Sequence, residues 1–191
     1  MFKTMNPTPT PTPKTSSLRF PIAILGLLIC LFLVTGCKKD DDSNGGGNPQ
    51  PVLSQQEQLE NRIHVLVNQH RASINVAALA YSPDVIRPQC RNHSLNMEQG
   101  RVPFSHDGFK TRLDSINLVS KGRLAGENCA LLSNGSTVDA TAQQALTMWL
   151  GSKGHRANIE NPNFTLTGVG AALNNSTGYV YLTQIFQKAD K

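Results

Sequence analysis

Three polar groups, each beside a glycine, are the residues in this chain whose types fit them for chemistry. They are His106 in Phe104-Ser105-His106-Asp107-Gly108-Phe109, Glu127 in Gly126-Glu127-Asn128-Cys129-Ala130, and His155 in Met148-Trp149-Leu150-Gly151-Ser152-Lys153-Gly154-His155. Two imidazoles and one carboxylate form a three-ligand set that suits Zn²⁺ and leaves a fourth position for water. The ligands are far apart in sequence, so no compact metal signature of the His-Glu-x-x-His kind supports the set. Ser105 and Ser152 lie near the histidines, but no Gly-x-Ser-x-Gly elbow or third group makes a serine nucleophile of either. Glycine permits sharp helix ends and close backbone approach, so His155 is expected at a turn after a helix.

The elements that must position these groups follow from capping and period. Ser54 and Glu57 form a capping box ahead of an apolar stripe of Leu59, Ile63, Leu66 and Val67. A second helix is expected after Ser82-Pro83, carrying Val85, Ile86, Cys90, Leu95 and Met97, with Pro88 delaying or kinking it. A short helix spans 111–118. Another carries Val138, Ala142, Ala145, Leu146, Trp149 and Leu150, with Trp149 in the core. The period then changes. Residues 167–173 read as a strand whose Gly168 and Gly170 imply close packing under another layer, and 179–186 alternate as its hairpin partner. Helices first and a hairpin last indicate an α+β domain with antiparallel pairing.

The front of the chain differs in kind. Of 191 residues, Phe20 to Gly36 carry no charge, and Ile22 to Val34 is almost wholly apolar. That run is short for a membrane span of about 20 residues and suits a signal-peptide core. Translation starts at either Met1 or Met5. Val34-Thr35-Gly36-Cys37 resembles a bacterial lipobox, which makes residues 1–36 a lipoprotein signal peptide and Cys37 the lipidated N-terminus; the other reading is an uncleaved anchor. Residues 37–52, with Lys38-Lys39-Asp40-Asp41-Asp42 and Gly45-Gly46-Gly47, form a solvated tether. The acidic triplet is either a surface-export signal or a spacer. The chain is then an envelope-anchored, extracytoplasmic protein, held at the outer membrane or the cell surface. Its formal charge of +5 mostly reflects the signal, because residues 1–36 hold three basic and no acidic groups, leaving 15 basic against 13 acidic. No basic cluster marks a nucleic-acid site.

Seven blocks occur in one order: Asn68-x-x-Arg71, His93-Ser94-x-x-Met97, Phe104 to Gly108, Gly126-Glu127-Asn128, Trp149 to Ile159, Gly168-Val169-Gly170 and Thr183-Gln184-x-Phe186. They resemble the CAP superfamily of cysteine-rich secretory, antigen 5 and pathogenesis-related proteins, in its short bacterial form, over about residues 59–187. The resemblance implies a three-layer α-β-α sandwich over 53–191 with a mainly antiparallel sheet and an open cavity. It implies that His106, Glu127 and His155 line that cavity and can bind a divalent metal, and that Asn128 and Gln184 line or brace it. A second acid of longer members falls at Ser152, which counts against any mechanism needing two carboxylates. His93 matches a helical position outside that set and reads as a helix-packing or hydrogen-bonding residue rather than a ligand. Cys90 and Cys129 replace small core residues and are either a disulfide or two buried thiols. The function implied is a binding module for a lipid, glycan, peptide or partner protein, with a metal-dependent hydrolase as the alternative.

Overall fold

The computed structural model describes residues 52–190. The signal peptide, the lipobox with Cys37 and nearly all of the tether lie outside these residues. Helix α1 (Gln55–Ser73) starts at the expected capping box: the Ser54 hydroxyl accepts from Glu57 N–H at 3.2 Å, and Glu57 Oε2 accepts from Ser54 N–H at 3.2 Å. Two further elements are β1 (Ala80–Tyr81) and α2 (Ile86–Glu98). The second helix begins later than Ser82-Pro83. Its start at Ile86 puts Pro88 in the first turn, where a missing N–H removes no helical bond. Leu95, expected in the core, is 41% exposed.

After α3 (Phe109–Asn117) comes β2 (Gly122–Ser133), a strand that neither alternation nor β-branched content announces in the sequence. Helices α4 (Val138–Gly151) and α5 (Lys153–Glu160) follow, then the hairpin of β3 (Leu166–Asn174) and β4 (Tyr179–Ala189). The sheet order is β1-β3-β4-β2, parallel between β1 and β3 and antiparallel elsewhere.

Alternation along the strands builds the sandwich. Val169, Ala171, Val180, Leu182 and Phe186 face Leu59, Ile63, Ala142, Ala145, Trp149 and Ile159 of α1, α4 and α5. Ile185 faces Ile86, Cys90 and Ile116 of α2 and α3. Helix α2 lies so close to β3 that a Cβ at Gly168 would stand 2.5 Å from the Arg87 nitrogen, and one at Gly170 would collide with the backbone of Arg91. The expected role of this glycine pair is therefore met. Among the described residues, both apolar cores lie between Leu59 and Phe186. Among the described residues no helix is long and apolar enough to cross a membrane.

Candidate functional site

The site forms where β2 passes between α3 and α5. Successive strand residues point to opposite faces, so Glu127 and Cys129 face the α2–α3 side while Gly126 and Asn128 face α5. A Cβ at Gly126 would stand 2.5 Å from Asn158 Oδ1 of α5, so only glycine admits this approach. Asn158 donates to Glu127 C=O at 3.2 Å and to Asn128 Oδ1 at 2.8 Å. Asn128, fully buried, donates to His155 C=O at 3.1 Å. From behind, the buried Arg71 fixes α5 by donating to the carbonyls of Ala77, Ile159, Asn161 and Phe164 at 2.7–3.3 Å. Trp149 is fully buried, and its indole donates to Cys129 C=O at 3.2 Å.

His155 sits in the first turn of α5, not in a loop. The chain breaks at Ser152, which is extended (φ −95°, ψ 124°), and neither Gly151 nor Gly154 uses a positive φ. His155 and His106 do converge, with ring centroids 6.2 Å apart and planes tilted by 58°. Burial, followed by the charge of His106, lowers the pKa of His155 below the ordinary imidazole value.

His106 projects from the loop before α3, with its side chain 53% exposed. Its Nδ1 lies 2.9 Å from Oε1 of Glu127, a carboxylate only 2% exposed. An ionised carboxylate only accepts, so Nδ1 carries the proton in this bond. Glu127 itself is held by Arg112, whose Nε donates to Oε2 at 2.9 Å and Nη2 to Oε1 at 2.8 Å. The other guanidinium protons go to Asp107 C=O at 2.8 Å, His106 C=O at 3.4 Å and His93 Nδ1 at 3.2 Å. All five donors of Arg112 are thus used, and they fix both the carboxylate and the loop that presents His106.

Sequence reasoning missed Arg112. Its signal was a basic residue in the turn of helix directly after Phe104-Ser105-His106-Asp107-Gly108. His93 is the neutral tautomer that donates from Nε2 to Ser105 C=O at 2.9 Å and accepts from Arg112 at Nδ1. Burial is the main cause that lowers its pKa, opposed by the Ser105 bond and reinforced by the Arg112 charge. Of the two roles read from the sequence, these contacts correspond to the hydrogen-bonding one.

One ligand atom each from His93, Glu127 and Cys129 lie within 4.8 Å of one another, a spacing that could hold a metal ion. Arg112 already bonds the first two, and burial pushes the Cys129 thiol up to about 12, far from the thiolate a metal needs. The other donor pair is His106 Nε2 with His155. Two imidazoles ligating one Zn²⁺ at about 2.0–2.1 Å have centroids roughly 5–6 Å apart, close to the observed separation. In that arrangement Glu127 orients His106 from behind, as carboxylates commonly do for ligating histidines.

Gln184 is fully buried, lies beside Asn128 in the sheet register and donates to Thr167 Oγ1 at 3.2 Å, bracing β4 against β3. Ser152 caps α5 without a side-chain bond, and Ser105 Oγ accepts from Asp107 N–H at 3.1 Å. Among the described residues neither hydroxyl bonds an imidazole. Cys90 and Cys129 are free buried thiols, so the disulfide is not formed. Each sulfur has its own acceptor: Cys90 donates to Gly168 C=O at 3.3 Å, and Cys129 lies 3.7 Å from Ser105 C=O.

The fold has counterparts among solved structures. An outer surface protein of Borrelia burgdorferi matches with a TM-score of 0.57 at 15% identity, covering 72% of this chain and 97% of that one. An extracellular protein containing an SCP domain from Bacillus anthracis matches with a TM-score of 0.55 at 28% identity, covering 73% of this chain and 45% of that one. A cysteine-rich secretory protein of Staphylococcus aureus gives 0.54 at 20% identity, covering 74% and 42%. This chain thus spans less than half the length of the last two. Among curated proteins no match is found. The profile of CAP, the cysteine-rich secretory protein family, matches residues 65–186, and the chain belongs to that family.

Proposed function

We propose that this chain is an extracytoplasmic binding module that presents the His106–His155 face to a ligand and is tethered to the envelope through a lipidated Cys37. The observation that carries this reading is the state of Glu127. Its two oxygens accept three hydrogen bonds from His106 and Arg112, and it is almost fully buried. A carboxylate so engaged is suited to orienting an imidazole rather than to accepting a proton. With Ser152 in the place of a second acid, the site lacks the paired acid and base that hydrolysis draws on. What remains outward is the pair of imidazoles, one oriented and one with a lowered pKa, suited to a divalent ion or to a polar group of a lipid, glycan, peptide or partner protein. A bound Zn²⁺ would supply a Lewis-acidic contact for such a group.

The test is zinc titration by calorimetry of a chain beginning at Lys38, whose cores lie wholly in the retained part. One ion is expected per chain, with affinity falling as pH drops through about 6.5 because ligation needs neutral imidazoles. His106→Ala and His155→Ala should each abolish binding and leave the circular dichroism spectrum unchanged. Zinc affinity unaffected by either change would sink the ligand assignment. The hydrolase reading is favoured by the carboxylate-oriented His106 beside His155, and zinc-dependent ester hydrolysis lost in His106→Ala would establish it instead. Mass spectrometry of the mature protein tests the anchor: an acylated Cys37 is expected, and an unmodified Cys37 or retained residues 1–36 would remove it.

A further inference from the structure

Away from the imidazoles, β3 has an outer edge that β1 leaves open. β1 pairs only Ala80 with Leu166 and Tyr81 with Thr167, so from Val169 onward no described strand lies beside that edge. Two bonds show which main-chain groups point outward. The Tyr81 hydroxyl donates to Val169 C=O at 3.3 Å, and Glu60 Oε1 accepts from Ala171 N–H at 3.1 Å. Alternate residues of a strand turn their N–H and C=O to the same side. Leu173, half-buried, therefore offers both groups to this edge; Ala171, 2% exposed and with its N–H taken by Glu60, turns only its C=O the same way.

A cavity of about 420 Å³ opens at this place, within the range of about 300–1,000 Å³ usual for ligand sites. Gln56 of α1 and Arg91, Asn92, Leu95 and Glu98 of α2 line it beside Ala171–Leu173. Leu95 is the core candidate that the structure leaves 41% exposed, and it gives the cavity an apolar wall. The charge balance is negative. Arg91 is engaged by buried Glu60 at 2.6 Å and lies 3.5 Å from Glu57, while Glu98 carries only the Asn174 amide at 2.8 Å. Of the two charged residues that line the cavity, Arg91 is thus taken up by Glu60 and Glu57 behind it, and among the described residues Glu98 pairs with no cation.

We infer that this groove takes an extended peptide carrying lysine or arginine, which adds to the β3 edge at Ala171–Leu173. Strand addition gives main-chain bonds to Ala171 and Leu173, an apolar side chain on Leu95 and a cation at Glu98. The site is separate from the His106–His155 face and stands or falls independently of it.

Fluorescence anisotropy with a labelled, end-blocked Val-Lys-Val-Lys-Val peptide tests the inference on the chain beginning at Lys38. Saturable binding is expected. It should be lost when alternate peptide nitrogens are methylated, and when glutamate replaces both lysines. Glu98→Lys should weaken binding by about tenfold, a loss typical of reversing one charge pair. Glu98→Gln, which can still accept from Asn174, guards against misfolding and should weaken binding less. Leu95→Asp should weaken it too, and His106→Ala should leave it unchanged. Equal binding of the methylated or glutamate peptides, or no saturable binding, overturns the inference. Self-association in sedimentation velocity that Glu98→Lys abolishes would assign the groove to a second copy and overturn it as well.

Discussion

The central residue of the site is Arg112, which acts through others. Its side chain is 11% exposed, and it neutralises a carboxylate 2% exposed while bonding the two carbonyls of the loop that presents His106. Removing one partner of a buried pair leaves an uncompensated charge, so Arg112→Ala should cost about 3–5 kcal/mol in urea denaturation. The double change Arg112→Met with Glu127→Gln should restore a large part of that loss. If the double variant is as unstable as the single one, the charge pair is not what the site depends on. The two thiols permit a second check. Burial raises the pKa of both Cys90 and Cys129, so neither should react with a disulfide reagent at pH 8 in the folded chain, and both should react in denaturant. Fast modification of either in the native state would contradict their burial.

At the scale of elements, α2 and α5 carry the geometry. Helix α2 touches β3 over Gly168 and Gly170, and this contact brings Ser94 Oγ to Gly170 C=O at 3.0 Å and His93 under the site. Gly170→Ala would force backbone against backbone, where no side chain can give way. It should destabilise the fold by about 3 kcal/mol, the upper part of the usual overpacking range. An unchanged urea midpoint would mean that α2 shifts without cost. Helix α5 is held by Asn158, Asn128 and Arg71 together. These residues were legible in the sequence as members of ordered blocks, but their partners were not. A carbonyl acceptor such as Ile159 C=O belongs to any residue type, so composition does not announce it.

For the whole molecule, pH couples the site to stability. His64, His93 and His155 are each held below the ordinary imidazole value, with burial as the leading cause. The unfolded chain therefore binds more protons than the folded one as pH falls. The stability these groups contribute is full above about 6.5 and is lost below it, toward their lowered folded values. Urea midpoints should fall between pH 7.5 and pH 5.0, and a flat profile would show that these imidazoles take up protons without unfolding cost. The sequence by itself determined the α+β class, the capped first helix, the C-terminal hairpin, the buried Trp149 and the three polar groups of the site. Each of these depends on local period, capping chemistry or ordered motifs. Only the tertiary structure decided that β2 is a strand, that Leu95 is exposed, that His155 lies in the first turn of a helix, that Cys90 and Cys129 are free thiols and that Arg112 holds Glu127. These depend on which residues meet across the fold: Arg112 and Glu127 are 15 positions apart and join only because α3 packs over the edge strand.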